Sequence, residues 1–234
     1  MSIIISVIIL ILSMLISFFM QLTPGTFALF YHYALGKTTA KKADDRSLSF
    51  ILGVEIFTVV IWLLIYSLVL LFFYHFPHST NIFFCVASAI FLIEALLAFF
   101  FYYRKGKSTA LFIPRRVASS ILSHIKKLKN RSDCIILGAF IGFFELIFTL
   151  PLYIISASIF VNFNFLPHVA IIIIYIILSI LPLFLIRSAF RFGHNLADIQ
   201  RFRAKIKLPV RLVFLISFIL LSLATIYLGV FYHG

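Results

Sequence analysis

Glu145 and Pro151 share one apolar run, GFFELIFTLPLYI, at 142–154. A carboxylate in such a setting can carry a proton or meet a cation. A proline there opens the helix, because it has no N–H and leaves the carbonyl of Ile147 without its helical donor. Thr149 adds a hydroxyl beside that break. A matching set lies near the start of the chain in QLTPGTFALFYHY, where Gln21, Thr23, Gly25 and Thr26 surround Pro24. Irregular backbone at membrane depth is tolerated where it is buried in protein or lines a cavity. Gln21, Thr23, Pro24, Gly25, Thr26, Glu145, Thr149 and Pro151 are therefore the expected binding site for a small solute or ion. The plainer alternative is a pair of packing kinks that bind nothing.

The acids divide by type. Asp44, Asp45, Asp133 and Asp198 lie in basic connectors, whereas Glu55, Glu94 and Glu145 lie inside apolar runs. A charge at mid-bilayer costs at least about 2.5–3.5 kcal/mol. With about 1.5 Å of rise per residue, Glu145 falls roughly 16 Å into its helix, and Glu55 and Glu94 fall about 10 and 14 Å from their basic ends. No Lys or Arg is expected at those depths; Arg187, at a span edge, is the nearest. Each glutamate is then either protonated and hydrogen-bonded across a helix contact, or turned into a polar cavity. Glu145 leads as the proton or cation carrier, and Glu55 and Glu94 are second-rank candidates.

The elements that must position these groups are membrane helices. The chain is 63% hydrophobic and 12% charged, against about 25% charged in soluble domains. Six spans are expected at about 3–35, 48–74, 81–103, 134–161, 167–189 and 210–232, since a spanning helix needs roughly 20 apolar residues. The N-terminus has no basic residue before its apolar run, so it reads as a permanent span rather than a cleaved signal. All 20 Lys and Arg fall in or beside three connectors. The positive-inside rule puts those connectors in the cytoplasm and both termini outside. The net charge of +13 thus has a topological cause and an affinity for anionic lipid, and no nucleic-acid partner is expected.

The runs group as two halves of three spans, 1–103 and 134–234, joined by a basic connector at 104–133. Three spans is an odd number, so the second half is inverted. Each half opens on a proline-containing helix, broken at Pro24 and Pro151. Paired broken helices in inverted repeats point to a midplane site. In the connector, Val117, Ile121, Leu122, Ile125 and Leu128 recur at helical spacing opposite Arg116, Lys126 and Lys127, which reads as an amphipathic helix on the cytoplasmic surface. The segment NLADIQRFRAKIK at 195–207 has a similar composition.

Other groups carry less. His75, His78, His168 and His233 fall near the outer ends of spans without an acidic or thiol companion, and His32 lies near a cytoplasmic end; no metal site is expected. Cys85 and Cys134 fall near opposite ends of their spans, too far apart for a disulfide. No catalytic constellation or phosphate loop is present, so neither an enzyme nor a cofactor is expected.

The motifs resemble those of the CcdA and DsbD membrane family, within the LysE-type transporter superfamily. LTPGTFALF is similar to that family's Asn-Pro-Cys motif. ELIFTLPLY is similar to its Glu-Leu-Pro-Cys-Thr-Gly-Gly-Pro-Tyr motif, matching at Glu145, Leu146, Thr149 and Tyr153. IIIIYIILSILPLFLIRSAF, the basic connector after it and a last span ending in YLGVF resemble its C-terminal third. The resemblance implies a thiol-redox conduit of the cytochrome c biogenesis type. Its two redox cysteines fall on Gly25 and Phe148 here, and a thiol relay needs a thiolate. The first family proline falls on Ile147, so the break is shifted toward Pro151. The TPG at 23–25 resembles the Pro-Gly of the LysE side, which implies export of small solutes. The expectation is a transporter in a prokaryotic plasma membrane; the alternatives are a redox conduit and a non-transporting scaffold that docks a membrane protein partner.

Overall fold

The computed structural model describes residues 3–19, 22–76, 79–97, 100, 121, 123–125, 128, 130–161 and 165–231, which form helices and short turns without a strand. The long helices are α1 (Ile3–Phe19), α2 (Leu22–Lys37), α3 (Ala40–His75), α4 (Thr80–Leu97), α5 (Arg131–Val161), α6 (Phe165–Arg191) and α7 (Leu196–Phe231). Among the described residues, four stretches are long and apolar enough to cross a membrane: Ile5–Lys37, Ala40–His75, Thr80–Leu97 and Leu208–Val230. A fifth is added if Arg131–Leu146 and Thr149–Val161, bent by 81° to one another, make one span. The remaining expected span, 167–189, falls within α6. Leu63, Leu64 and Leu68 of α3, Ile93 and Leu96 of α4, and Ile216 and Leu223 of α7 are all exposed. An apolar exterior of this extent belongs against lipid, so the chain is a polytopic membrane protein.

Small residues set the closest contacts, as is common where helices pack inside a membrane. α3 and α5 cross backbone to backbone: a methyl on Gly53 would strike the carbonyl of Ile135, and one on Gly138 would strike the carbonyl of Phe50. Gly142 continues the contact against the ring of Phe57. α4 and α7 run side by side through a reciprocal serine pair. The Ser88 hydroxyl donates to the Ser222 carbonyl at 2.9 Å, and the Ser222 hydroxyl donates to the Ser88 carbonyl at 3.0 Å.

The turn between α6 and α7 is built from local rules. Gly193 takes φ 87°, which closes α6. The His194 amide donates to Ala189 and the Gly193 amide to Phe190, both at 3.1 Å, the pattern of a glycine-terminated helix. Asn195 and Asp198 then exchange hydrogen bonds at 3.0 and 3.1 Å, which caps the first turn of α7. As a result the segment after Asn195, whose composition resembles that of the amphipathic connector, belongs to the long α7.

Two apolar cores occupy different levels of the bundle. One gathers Ile9, Ile16, Trp62, Ile65, Leu152, Ile155, Phe214 and Phe218. The other gathers Phe27, Phe30, Phe50, Val54, Leu137, Ile141 and Leu183. Three chain segments pass from one core to the other: the first span, α3 and α5. Among the described residues, Asp44, Asp45, Arg131, Arg187 and Arg191 of the basic connectors meet at the end nearer the second core. There the described connector residues Ile121, Ile125 and Leu128 pack against that core, so their apolar face meets protein where the sequence suggested a membrane surface.

Candidate functional site

Polar residues sit where each segment changes core. Thr23 lies between Ile16 and Phe27, Glu55 and Thr58 between Val54 and Trp62, and Glu145 and Thr149 between Ile141 and Leu152. The backbone amide of Thr23 donates to Glu145 Oε1 at 2.7 Å. Glu145 therefore holds the first turn of α2, where helical amides need outside acceptors and the positive dipole end favours an anion. The Thr23 hydroxyl is buried without a hydrogen-bond partner among the described residues. Leaving such a group unsatisfied costs about 1–3 kcal/mol.

Pro24 is in the first turn of α2, a place where a missing N–H is tolerated. The sequence reading puts the break at Pro24 itself; the described helix resumes before it, at Leu22. Met20 and Gln21 lie outside the described residues, and with them the expected contribution of Gln21. Thr26 is 4% exposed and engaged.

In α5 the 81° bend falls between Leu146 and Thr149, one turn before Pro151, where the proline removes a donor. The Thr149 hydroxyl donates back to the Glu145 carbonyl at 3.2 Å. Tyr153, 6% exposed, sits within hydrogen-bonding reach of Thr149 and Thr58, in the neighbourhood of Glu145 and Glu55. Glu55 accepts a hydrogen bond from the Ser179 hydroxyl at 2.9 Å, and its Oε2 is buried without a partner among the described residues. Glu55 thus joins the central cluster.

Glu94 does not. It is 6% exposed on α4, next to Phe91, whose ring lies 6.3 Å from Phe218 of α7. Its carboxylate lies on the α4 face that packs against α7, apart from the polar band.

One group that the sequence reading placed elsewhere reaches the site. The Arg203 guanidinium packs against Gly25 so closely that a methyl there would lie 2.5 Å from its nitrogens. The expectation of no cation near the site fails here. The positive-inside rule already accounts for Arg203 as a connector residue, yet α7 carries it on the stripe Ile199, Arg203, Ile206, Val210 and Phe214, whose apolar members are buried or half-buried. That spacing is the signal that would have found it.

Arg187 has another role. It grips Asp44 with two hydrogen bonds of 2.7 Å, Arg191 pairs with the same carboxylate, and Tyr31 donates to it at 3.3 Å. Asp44 precedes the apolar stretch of α3, outside the membrane. The hydrogen bonds from Arg187 hold its carboxyl below the usual carboxylate range, with Arg191 adding to the effect. This cluster ties α2, α3 and α6 together at the basic end.

The cysteines are both free. Cys85 packs by Gly229 of α7, and Cys134 is in the core at the basic end. His75 closes α3, with Nδ1 3.0 Å from the Leu71 carbonyl, and His32 lies by Tyr33. His78 and His233 are outside the described residues, as is the side chain of His168. A cavity of about 320 Å³ lies at the basic end, lined by Ile121, His124, Leu128, Ile136 and Phe140 among others, away from the polar band.

No family model matches the chain. No curated protein and no solved structure matches it either.

Proposed function

We propose that this protein is a small-solute or ion transporter whose site is the polar band between the two apolar cores. The carrying observation is the hydrogen bond from the Thr23 amide to Glu145. It joins two motifs, one from each half of the sequence, and paired broken helices of this kind are what a midplane transporter site uses. The buried Thr23 hydroxyl, without a hydrogen-bond partner among the described residues, adds a polar group on the same residue.

In this reading the chain has six spans in two inverted halves. The packing supports it: α3 packs on α5 as α6 packs on the first span, and α4 packs on α7, which are the pairings that an inverted two-fold relation exchanges. The basic connectors face the cytoplasm and the termini face out, in a prokaryotic plasma membrane. The resemblance to the LysE side of the superfamily supports the same reading. The redox alternative loses support because Gly25 and Phe148 stand at the family's cysteine positions.

The test is thermal stability in detergent across pH, with a panel of cations, amino acids and thiols, for the wild type and Glu145→Gln. A ligand that stabilises the wild type and not the variant supports the site and names its class. A panel in which nothing binds, with Glu145→Gln at least as stable, overturns it and leaves Glu145 a structural residue.

A further inference from the structure

We propose that Asp44, Arg187, Arg191 and Tyr31 form the gate of the central site at the basic end, a latch that must release before a solute can pass between the polar band and that side. This rests on the transporter reading above and deepens it.

Three helices run from the polar band to this cluster. α2 leads from Thr23 to Tyr31, α3 from Glu55 to Asp44 and α6 from Ser179 to Arg187, distances of about 12, 16 and 12 Å along the helices. Each contributes to an apolar plug on the way. Phe27 and Phe30 of α2, Phe50 of α3 and Leu183 of α6 are all 2% exposed or less and belong to one core. The Phe50 ring lies 5.3 Å from Phe27 and 5.2 Å from Phe30. A close-packed apolar core admits no polar solute, so passage requires α2 or α6 to part from α3.

The cluster holds those same three helices together. Arg187 takes the Asp44 carboxylate through Nε and Nη2, a two-point geometry that fixes orientation as well as distance. Arg191, one turn further along α6, pairs with the same carboxylate. Tyr31 links latch to plug: its hydroxyl donates to Asp44, and its ring stacks on Phe27 at 6.0 Å. The Arg187 and Asp44 side chains are 12% and 17% exposed, whereas Arg191 is 59% exposed. The latch is thus shielded at one guanidinium and open to water at the other, where hydration competes for the contact. α6 also carries a weak turn above it. Pro182, inside the helix, has no N–H for the Leu178 carbonyl, and helices kink at such sites. That turn lies between Ser179 and Arg187, so the basic end of α6 can tilt away while Ser179 keeps its place.

The test needs no transported solute. Leu183→Cys reports on the plug, and Ala157→Cys, at a residue 0% exposed in the other core, serves as the reference. Each is made in protein carrying Cys85→Ser and Cys134→Ser, and labelling by a charged, water-soluble maleimide is timed in detergent. A buried position labels in proportion to the open population. Adding Asp44→Asn should speed labelling at position 183 by about tenfold or more, as a minor open state gains weight, and should leave position 157 unchanged. Arg191→Gln and Tyr31→Phe each remove one contact; they should give smaller gains, and they are read if Asp44→Asn fails to fold. Asp45→Asn, in its exposed pair with Arg131, should give none. No gain at position 183 overturns the gate. An equal gain at position 157, or in Asp45→Asn, is general loosening and overturns it too. The ligand panel reads Glu145 and a bound solute, so it succeeds or fails independently of the gate.

Discussion

The amide of Thr23 and the carboxylate of Glu145 are 122 positions apart in sequence and 2.7 Å apart in space. Glu145 acts as a helix cap supplied from another helix. Removing a capping acceptor costs about 0.5–2 kcal/mol. Glu145→Ala should lower the melting temperature in detergent accordingly. Glu145→Gln should lose less, since its amide oxygen still accepts. Equal stability of Glu145→Ala and wild type would show that the contact holds nothing.

Glycine substitutions should separate by what a methyl would meet. Gly53→Ala and Gly138→Ala drive a methyl into backbone of the facing helix, and overpacking of this kind costs about 1–3 kcal/mol or more. Gly36→Ala meets nothing within 4 Å and should be neutral or stabilising by about 0.5–1 kcal/mol. Yield of folded protein on size exclusion, with melting curves, reads all three.

Asp44 gives a pH dependence with a definite sign. Its carboxyl is held below its ordinary value chiefly by the hydrogen bonds from Arg187. Its contribution is complete above the ordinary carboxylate range and is lost as pH falls through the lowered value. Asp44→Asn should cost about 1.5–3 kcal/mol near neutrality and should lack that acid-range component in melting curves. Asp45→Asn breaks an exposed pair with Arg131 and should cost no more than about 1 kcal/mol.

Glu94 should behave oppositely to Glu145. Its Oε2 is buried without a partner among the described residues on the face that packs against α7. Glu94→Gln or Glu94→Leu should leave stability unchanged or raise it, and should leave any ligand response intact. A ligand response lost in Glu94→Gln would place a site there after all.

The partnership of Glu145 with the Thr23 turn was legible because a carboxylate and a proline in an oily run both demand a reason. Helical apolarity likewise revealed the membrane class. Arg203 was hidden because a basic residue in a connector already has a sufficient explanation in topology. Only the capped turn at Gly193–Asn195, which starts α7 early, carries it inward. Asp44 was hidden for a related reason: composition does not say which of many nearby arginines a single aspartate will hold. The burial of Ile121 and Ile125 depended on what their apolar stripe would face, protein or lipid, and the stripe is the same for either.

The crossing of α3 and α5 also limits how this molecule can move. Helices that meet through long side chains can slide, because rotamers take up the strain. Helices that meet carbonyl to glycine have no such slack, so α3 and the first half of α5 must travel as one solid strut. If the protein alternates access as proposed, that motion falls to the first span, α6 and the α4–α7 pair swinging around that strut. The bend between Leu146 and Thr149 becomes the elbow at which the far half of α5 follows them, with Glu145 at the joint.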